Sequence, residues 1–353
     1  MKRVLVTGAG GSAAANFVDS LRLSPEPFYI VGTDVKPFHL ELSAVDQRFL
    51  LPPTSAPDYL DKLNELIARE QVEFVHAQPD VEVAILSENR ERVNARLFLP
   101  AAATIRLCHD KMATVDLLKR AGVPVPESYP LRSEADLRQA VDVLLCRHEK
   151  AWLRAVRGAG SRASLPIKRL EHGLAWIDYW YTMHEIGFGD FMISEFLPGQ
   201  EFAFQSLWSD GQLVTSQARV RLQYIFGHLT PSGQTSSPSV ARTVHRDDVN
   251  DIARLAVAAI DPHASGVFCV DLKENRSGVP CVTEINVGRF FTTSNFFAHA
   301  GTNMPYIYVK MAYGEPLPDV PKVNPVPAGW YWVRMVDMGY KLVREEQWSS
   351  RQV

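Results

Sequence analysis

The sequence predicts an α/β unit with a parallel, doubly wound sheet, followed by a larger α+β unit rich in antiparallel strands. Three observations lead to this fold class. Strand and helix patterns alternate over residues 1–100, which is typical of parallel sheets. From residue 152 onward, apolar strands follow one another across short turns. The chain has 353 residues, too many for one simple core, so two or three domains are expected.

The first unit is built from alternating patterns of strands and helices. The segment FYIVGTD, residues 28–34, has the β-branched and aromatic content of a strand. Helical spacing of leucine and isoleucine predicts a helix over 56–70. By the same criteria we expect further strands at 3–7, 72–77 and 96–99, and helices at 12–23 and 81–93.

The second half of the chain has a different pattern. A helix over 110–121 is ended by Gly122, and Pro124 and Pro126 follow. We expect helices at 171–186 and 247–260. Strands are expected at 151–156, 162–167, 191–197, 201–208, 212–224, 266–274 and 279–286. Proline-rich turns at 316–327 lead to a C-terminal appendage, in which residues 329–343 fit either completion of the core or a homodimer contact.

Composition excludes several classes of protein. A formal charge of −3 gives no basic field for a nucleic-acid partner. No apolar run approaches the roughly 20 residues needed to cross a bilayer, and the N-terminus lacks the pattern of a secretory signal. The cysteines, Cys108, Cys146, Cys269 and Cys281, form no CxxC pair and fit buried thiols in a reducing cytoplasm.

The glycine-rich turn VTGAGGSAAANF, residues 6–17, admits two interpretations. It nearly fits a dinucleotide fingerprint, with Asp34 placed to bind a ribose hydroxyl, which would indicate an NAD(P)-dependent reductase or epimerase. Any tight strand-to-helix turn also needs glycines, and the third glycine of the fingerprint is replaced by alanine at 13 or 14. Tyr306 and Lys310 have the Tyr-x-x-x-Lys spacing of a short-chain dehydrogenase but lie far along the sequence from this turn, outside the expected context.

Two later segments have the chemistry of a nucleotide site. Arg154 lies on an apolar strand, and Gly158, Gly160 and Ser161 follow in a loop that fits either a phosphate cover or a simple hairpin. In FMISEFLPGQEFAF, backbone at the end of one strand could pair with adenine, and Glu201 could bind a ribose. A plain hairpin with a surface glutamate explains the second segment equally well.

The segment GVFCVDLKENRSGVPCVTEINVGRF is the most informative. It predicts a hairpin in which Asp271 lies near the end of one strand, and Glu284 and Asn286 face one side of the next. Oxygen donors of this kind suit Mg²⁺ that bridges phosphate groups. Because carboxylates in apolar strands need a cationic partner, the alternative is an ion pair with Arg289 or Lys273.

The order of these segments resembles the ATP-grasp superfamily, in the branch of the carbamoyl-phosphate synthase large chain and biotin carboxylase. The similarity begins with VLVTGAGG and QPDVEVAILSENRERV, continues through HDKMATVDLLKRAGVPVPES, and ends at TEINVGRF. It implies a Rossmann-like pre-ATP-grasp domain at 1–108, a lid subdomain at 109–190 and a C-terminal ATP-grasp subdomain with its appendage at 191–353.

The resemblance also implies roles for individual residues. The phosphates would be contacted by Lys111, Arg154 and the loop with Gly158, Gly160 and Ser161. Adenine would lie beside Glu195 and Leu197, and Glu201 would hold the ribose. Mg²⁺ would be bound by Asp271, Glu284 and Asn286. Arg219 and Arg221, with Arg289, would act on the acceptor carboxylate or the acyl phosphate. Solvated strand positions remain an alternative for Arg219 and Arg221. In this branch the first domain lines the substrate cleft instead of holding a dinucleotide.

The implied activity is ATP-dependent ligation of a small-molecule carboxylate to an amine through an acyl phosphate, in the cytoplasm. Val287 and Gly288 replace the Pro-Arg of the family signature, with Arg289 one place later, so a degenerate ATP-binding protein is an alternative. Aromatic residues cluster on the expected lid helix and suit packing more than ligand binding: Trp176, Tyr179, Trp180 and Tyr181.

Overall fold

A computed structural model describes residues 1–158 and 163–347. The strands are β1 Lys2–Val6, β2 Phe28–Asp34, β3 Gln47–Leu50, β4 Phe74–His76, β5 Ser128–Leu131, β6 Ala151–Ala155, β7 Leu165–Ile167, β8 Phe191–Glu195, β9 Glu201–Ser209, β10 Gln212–Tyr224, β11 Pro238–Val244, β12 Gly266–Glu274, β13 Pro280–Val287, β14 Trp330–Met335 and β15 Gly339–Arg344. The helices are α1 Ser12–Arg22, α2 Pro37–Leu40, α3 Tyr59–Arg69, α4 Asp80–Glu88, α5 Ala102–His109, α6 Lys111–Arg120, α7 Glu134–Arg147, α8 Leu170–His184, α9 Asp247–Ile260, α10 Asn295–His299 and α11 Met304–Tyr313.

The strands described form three sheets. A parallel sheet has the order β3-β2-β1-β4, as the alternating pattern predicts. A four-stranded sheet has the order β5-β8-β6-β7, and a seven-stranded sheet has the order β13-β12-β9-β10-β11-β14-β15. The predicted class, a Rossmann-like unit followed by an α+β fold with antiparallel strands, is confirmed.

Several details differ from the sequence predictions. The fourth parallel strand is Gln47–Leu50, not 96–99, where Arg96 makes only a single bridge to Phe74. Strand β8, which the expected boundary at 190 assigns to the third unit, pairs with β5 and β6 in the smaller sheet. We therefore propose the division 1–108, 109–195 and 196–353. The C-terminal appendage adds β14 and β15 to the larger sheet, where Trp332 is buried, so it completes the core.

The apolar packing separates the sheet of the lid, with α7 and α8, from the rest of the chain, whereas Leu118 of α6 packs in the larger core. The smaller sheet, α7 and α8 enclose a core of their own, which includes Leu137, Leu153 and Ile193. The parallel sheet and the seven-stranded sheet share cores, in which Leu5 and Phe204 belong to the same cluster. The first and third units thus form one packed body, against which the lid unit closes a cleft.

The glycine turn between β1 and α1 is shaped by close packing. Gly8 has φ +58°, and a Cβ there would lie 2.4 Å from the Pro79 side chain. The N–H of Gly10 donates to Asp34 Oδ2 at 3.0 Å, and that of Val35 donates to Asp34 Oδ1 at 2.7 Å. These contacts give Gly8, Gly10 and Asp34 structural roles in the turn that need no bound ligand.

Replacement of Gly8 by alanine is expected to lower the free energy of unfolding by about 2–4 kcal/mol, because left-handed backbone strain and the clash with Pro79 add together. Gly122→Ala is the matched control, since Gly122 has φ +74° and open space around it. That variant should lose only about 1 kcal/mol. Equal losses in urea unfolding would contradict the packing explanation.

Candidate active site

A cleft of about 410 Å³ lies where the three units meet. Gly8, Gln78 and Asp80 reach it from the carboxyl edge of the parallel sheet, which is where open α/β sheets bind ligands. The lid unit contributes Arg154, and the hairpin of β12 and β13 contributes Glu284. Residues that the sequence places far apart thus face one volume.

The predicted convergence of acidic residues on the hairpin is present in the structure. Asp271 and Glu284 lie directly opposite each other across the β12–β13 ladder, and both line the cleft. Asn286 donates from Nδ2 to Asp271 Oδ2 at 3.2 Å. Burial raises the pKa of Asp271 to about 6. Like charges placed opposite one another repel, so this pair calls for a cation.

Two buried cations approach the acidic pair from the lid side. Lys111 begins α6, and its Nζ lies 3.7 Å from Glu284 Oε1 and 2.6 Å from the carbonyl oxygen of Gly158. Arg154 is 8% exposed and donates from Nη2 to the carbonyl oxygen of Thr283 at 2.9 Å. Burial lowers the pKa of both side chains. They are placed to meet an anion that enters the cleft.

Glu201 lines the cleft as expected, but its carboxylate already has several donors. Arg221 Nη1 lies 3.2 Å away, Gln234 Nε2 lies 2.7 Å away, and the Tyr224 hydroxyl also donates to it. Lys273 approaches at 3.5 Å. A ribose at this position must therefore exchange with at least one of these donors.

Arg221 has a different position from the one expected for a residue that grips the acceptor. Its Nη2 donates to Asp271 Oδ1 at 2.6 Å, so it is paired with both Asp271 and Glu201. Burial opposes its charge, but these two carboxylates raise its pKa. Arg221 lines the cleft and neutralises the acidic cluster.

The expectation that Arg219 contacts the acceptor is wrong for this structure. Arg219 is 1% exposed and is not among the described residues that line the cleft. Its Cζ lies 4.9 Å from the ring centre of Phe291 and 5.3 Å from that of Phe297. Burial lowers its pKa to about 9. Arg219 and Arg221 both lie near Phe291, but the two phenylalanine rings cover Arg219.

Arg289 lies in the cleft, one place beyond the family position. It forms an ion pair with Asp80 and donates from Nη2 to Asn286 Oδ1. Sequence reasoning missed Asp80, although it begins α4 just four positions beyond the end of the parallel strand β4. That position is the signal that could have identified it.

Three of the other residues expected to contact the nucleotide line the cleft. Gly158, Glu195 and Leu197 line the cleft. The Glu195 carboxylate accepts from the N–H of Glu127 at 3.1 Å, which ties the ends of β8 and β5 together. Gly160 and Ser161 lie outside the described residues.

The donor set fits Mg²⁺. Two carboxylates and one amide meet at the hairpin, and these are the hard oxygen donors that Mg²⁺ prefers. Within 1–158 and 163–347, no group of three or more His, Cys, Asp or Glu side chains is placed to hold a metal ion. The Asn286 amide oxygen accepts from Arg289 Nη2, so it would have to exchange this partner to bind a metal. Within the chain, Arg221 pairs with Asp271 and Lys111 approaches Glu284, so each carboxylate has a cationic neighbour.

The groups of the glycine-rich turn that would bind a dinucleotide are already used within the chain. The carboxylate of Asp34, which would bind the ribose, accepts from the N–H groups of Gly10 and Val35. Gly8 and Gly11 line the same cleft as the acidic hairpin. The dinucleotide interpretation is therefore not favoured, and the turn forms a wall of the cleft.

Comparisons with known proteins agree with this arrangement. A family described as "ATP-grasp in the biosynthetic pathway with Ter operon" matches residues 187–330. An L-amino acid ligase from Bacillus licheniformis matches with a TM-score of 0.68 and 14% identity, covering 94% of this chain and 79% of that one. No functionally curated protein matches significantly.

Two further solved structures have the same fold. The biotin carboxylase domain dimer of Hydrogenobacter thermophilus 2-oxoglutarate carboxylase, solved with MgADP, ADP and bicarbonate, matches with a TM-score of 0.69 and 15% identity, over 94% of this chain and 73% of that one. Carboxyaminoimidazole ribonucleotide synthase from Aspergillus clavatus, solved with ATP, matches with a TM-score of 0.69 and 14% identity, over 94% and 81%.

These findings show the fold that the resemblance implies, and residues 187–330 match an ATP-grasp family. The biotin carboxylase domain, which belongs to the branch named from the sequence motifs, shares this fold. None of the helices in the described segments is both long enough and apolar enough to span a bilayer.

Proposed function

We propose that this chain is an ATP-dependent carboxylate–amine ligase that activates a small-molecule carboxylate as an acyl phosphate. One observation carries the proposal. Asp271 and Glu284 face each other across one ladder in the cleft that also contains Lys111 and Arg154. A half-buried acidic pair beside buried cations suits a metal-bound polyphosphate better than it suits any nucleophile or hydride acceptor.

The chemical problem is that a carboxylate is a poor electrophile, since its leaving group would be oxide. Transfer of the γ-phosphoryl group forms a bond from carboxylate oxygen to phosphorus and breaks the bond to ADP. The amine nitrogen then attacks the acyl carbon, phosphate leaves, and the amine loses a proton to solvent. The protein has to supply position and charge neutralisation.

Named residues would provide these functions. Lys111 and Arg154 would neutralise the phosphates, with Glu195 and Leu197 beside the adenine and Glu201 beside the ribose. Bound Mg²⁺, held by Asp271, Glu284 and Asn286, would offset charge on the phosphate oxygens. Arg289, fixed by Asp80, would face the acceptor carboxylate or acyl phosphate. Arg221 would stay paired with Asp271 and orient it.

The four cysteines, which are all free, fit a cytoplasmic enzyme. A homodimer is also possible for this chain, because the Hydrogenobacter thermophilus domain was solved as a dimer. Light scattering of the purified chain tests this.

The experiment is a screen of amino acids and other small carboxylates with Mg-ATP and the purified chain. Hydroxylamine replaces the unknown amine, so an activated acid is trapped as its hydroxamate while ADP accumulates. We expect ADP and hydroxamate in equal amounts, and only with particular acids. Thermal stabilisation by Mg-ATP without ADP release from any acid would indicate a degenerate protein and overturn the proposal. Stabilisation by NADH instead of Mg-ATP would also overturn it.

A further inference from the structure

A second cavity of about 270 Å³ adjoins the cleft. It lies between α8 of the lid and residues 230–236, which follow the long strand β10. The two cavities share four wall residues: Ser164, Gln234, Thr235 and Ser236. A molecule whose reacting group lies in the cleft can therefore extend into this second cavity.

One wall of the cavity is made of two indole rings. The rings of Trp176 and Trp180 are 6.0 Å apart and inclined at 70°, so they form a corner. Trp176 is fixed in place, because its Nε1 donates to the carbonyl oxygen of Ala163 at 3.0 Å and its ring stacks on Tyr179 at 5.9 Å. A corner of this kind offers one face for stacking and one for an edge-on contact.

The opposite wall is polar but uncharged. Thr230 donates its hydroxyl to the carbonyl oxygens of Gly227 and Gln234, at 2.9 and 3.0 Å. Thr235 donates to the carbonyl oxygen of Ile225 at 3.0 Å. The hydroxyl protons of Thr230 and Thr235 are thus used inside the segment. None of the described residues around the cavity carries an ionisable side chain.

We propose that this cavity binds an uncharged aromatic ring of the organic substrate. Its volume is below the roughly 300–1,000 Å³ of pockets that enclose a whole ligand, so it suits one ring. A carboxylate or phosphate would lose its hydration without gaining a cationic partner, because none of the described wall residues is basic. This proposal rests on the proposed ligase function and adds the class of substrate to it. The aromatic cluster on the lid helix, expected to serve packing, then also forms a binding wall.

The test measures binding of L-phenylalanine, L-alanine and L-glutamate to the full chain with Mg²⁺ and a non-hydrolysable ATP analogue. We use saturation-transfer NMR, which reports ring contact directly. L-phenylalanine should bind at least about tenfold more tightly than either other amino acid. Equal binding of L-alanine or L-glutamate would overturn the proposal.

Variants locate the ring. Trp176→Ala should weaken L-phenylalanine binding about tenfold, and Trp176→Phe should largely restore it. Ser232→Phe, which fills the cavity from the opposite wall without altering α8, should also weaken it. Tyr181→Ala is the control, since Tyr181 is 65% exposed on the same helix. Unchanged L-phenylalanine affinity in both Trp176→Ala and Ser232→Phe would overturn the proposal.

The two proposals fail in different ways. If ring contact is seen but no acid is activated, the ligase function is wrong and the aromatic pocket stands. If acids are activated without preference for a ring, the pocket is wrong and the ligase stands.

Discussion

Replacement of Glu284 by glutamine is expected to lower ADP release at least about a hundredfold while the fold is retained. The substitution keeps the shape of the side chain and removes its charge. Glu284 lies opposite Asp271 in the ladder and 3.7 Å from Lys111, so its carboxylate is central to charge balance in the cleft. The measurement is ADP release with an acid that the hydroxamate screen identifies.

Glu171→Gln is the matched control. Glu171 lies on α8, its side chain is 71% exposed, and it is outside the set of described residues that line the cleft. The control should retain wild-type activity and melting temperature. Full activity in Glu284→Gln would remove this residue from the proposed metal site.

Replacement of Arg154 by methionine is expected to weaken ATP binding at least about tenfold and to lower ADP release further. Arg154 is buried, and it connects β6 of the lid with β13 through the carbonyl oxygen of Thr283. Its Nε has no hydrogen-bond partner among the described residues, so its charge is only partly used within the chain. An entering phosphate would supply the missing partner.

The stability of this variant distinguishes function from folding. Burial of the guanidinium is costly, so Arg154→Met should fold at least as stably as the wild type. Arg147→Met is the control, because the side chain of Arg147 is 52% exposed and pairs with Glu127 at the surface. Calorimetric titration with ATP checks the affinity. Wild-type affinity in Arg154→Met would contradict the assigned role.

The local part of the fold followed from sequence pattern. The helix over 247–260 was predicted at its observed bounds, because its apolar residues recur at helical spacing and acidic residues begin it. The edge strand Gln47–Leu50 was missed, since three of its four residues are exposed and it lacks an apolar alternation. Pairing with β2 forms this strand, and local propensity does not determine such pairing.

The site was predictable where it depends on one hairpin. Strand periodicity alone brought Asp271, Glu284 and Asn286 to one place. The ion pair of Arg289 with Asp80 joins residues 209 positions apart, and a single sequence has no signal for such a contact. The burial of Arg219 beneath two phenylalanine rings depends on the path of the chain after β13, which strand periodicity does not determine.

The glycine turn illustrates how one motif fits two explanations. Its spacing resembles a pyrophosphate cradle, yet Gly8 is required by the contact with Pro79. Asp34 accepts from backbone N–H groups of the turn itself. A phosphate-binding turn and a purely structural turn differ in how they pack against the neighbouring strand and helix. The sequence motif alone does not contain this packing.

The most direct test of the central claim is anomalous diffraction from a crystal soaked with Mn²⁺ and a non-hydrolysable ATP analogue. Mn²⁺ takes the place of Mg²⁺ and gives a peak that locates the metal. We predict a peak between the carboxylates of Asp271 and Glu284, with the phosphates next to Lys111 and Arg154. A nucleotide bound against Gly8–Gly11, with no metal peak at the hairpin, would contradict this account.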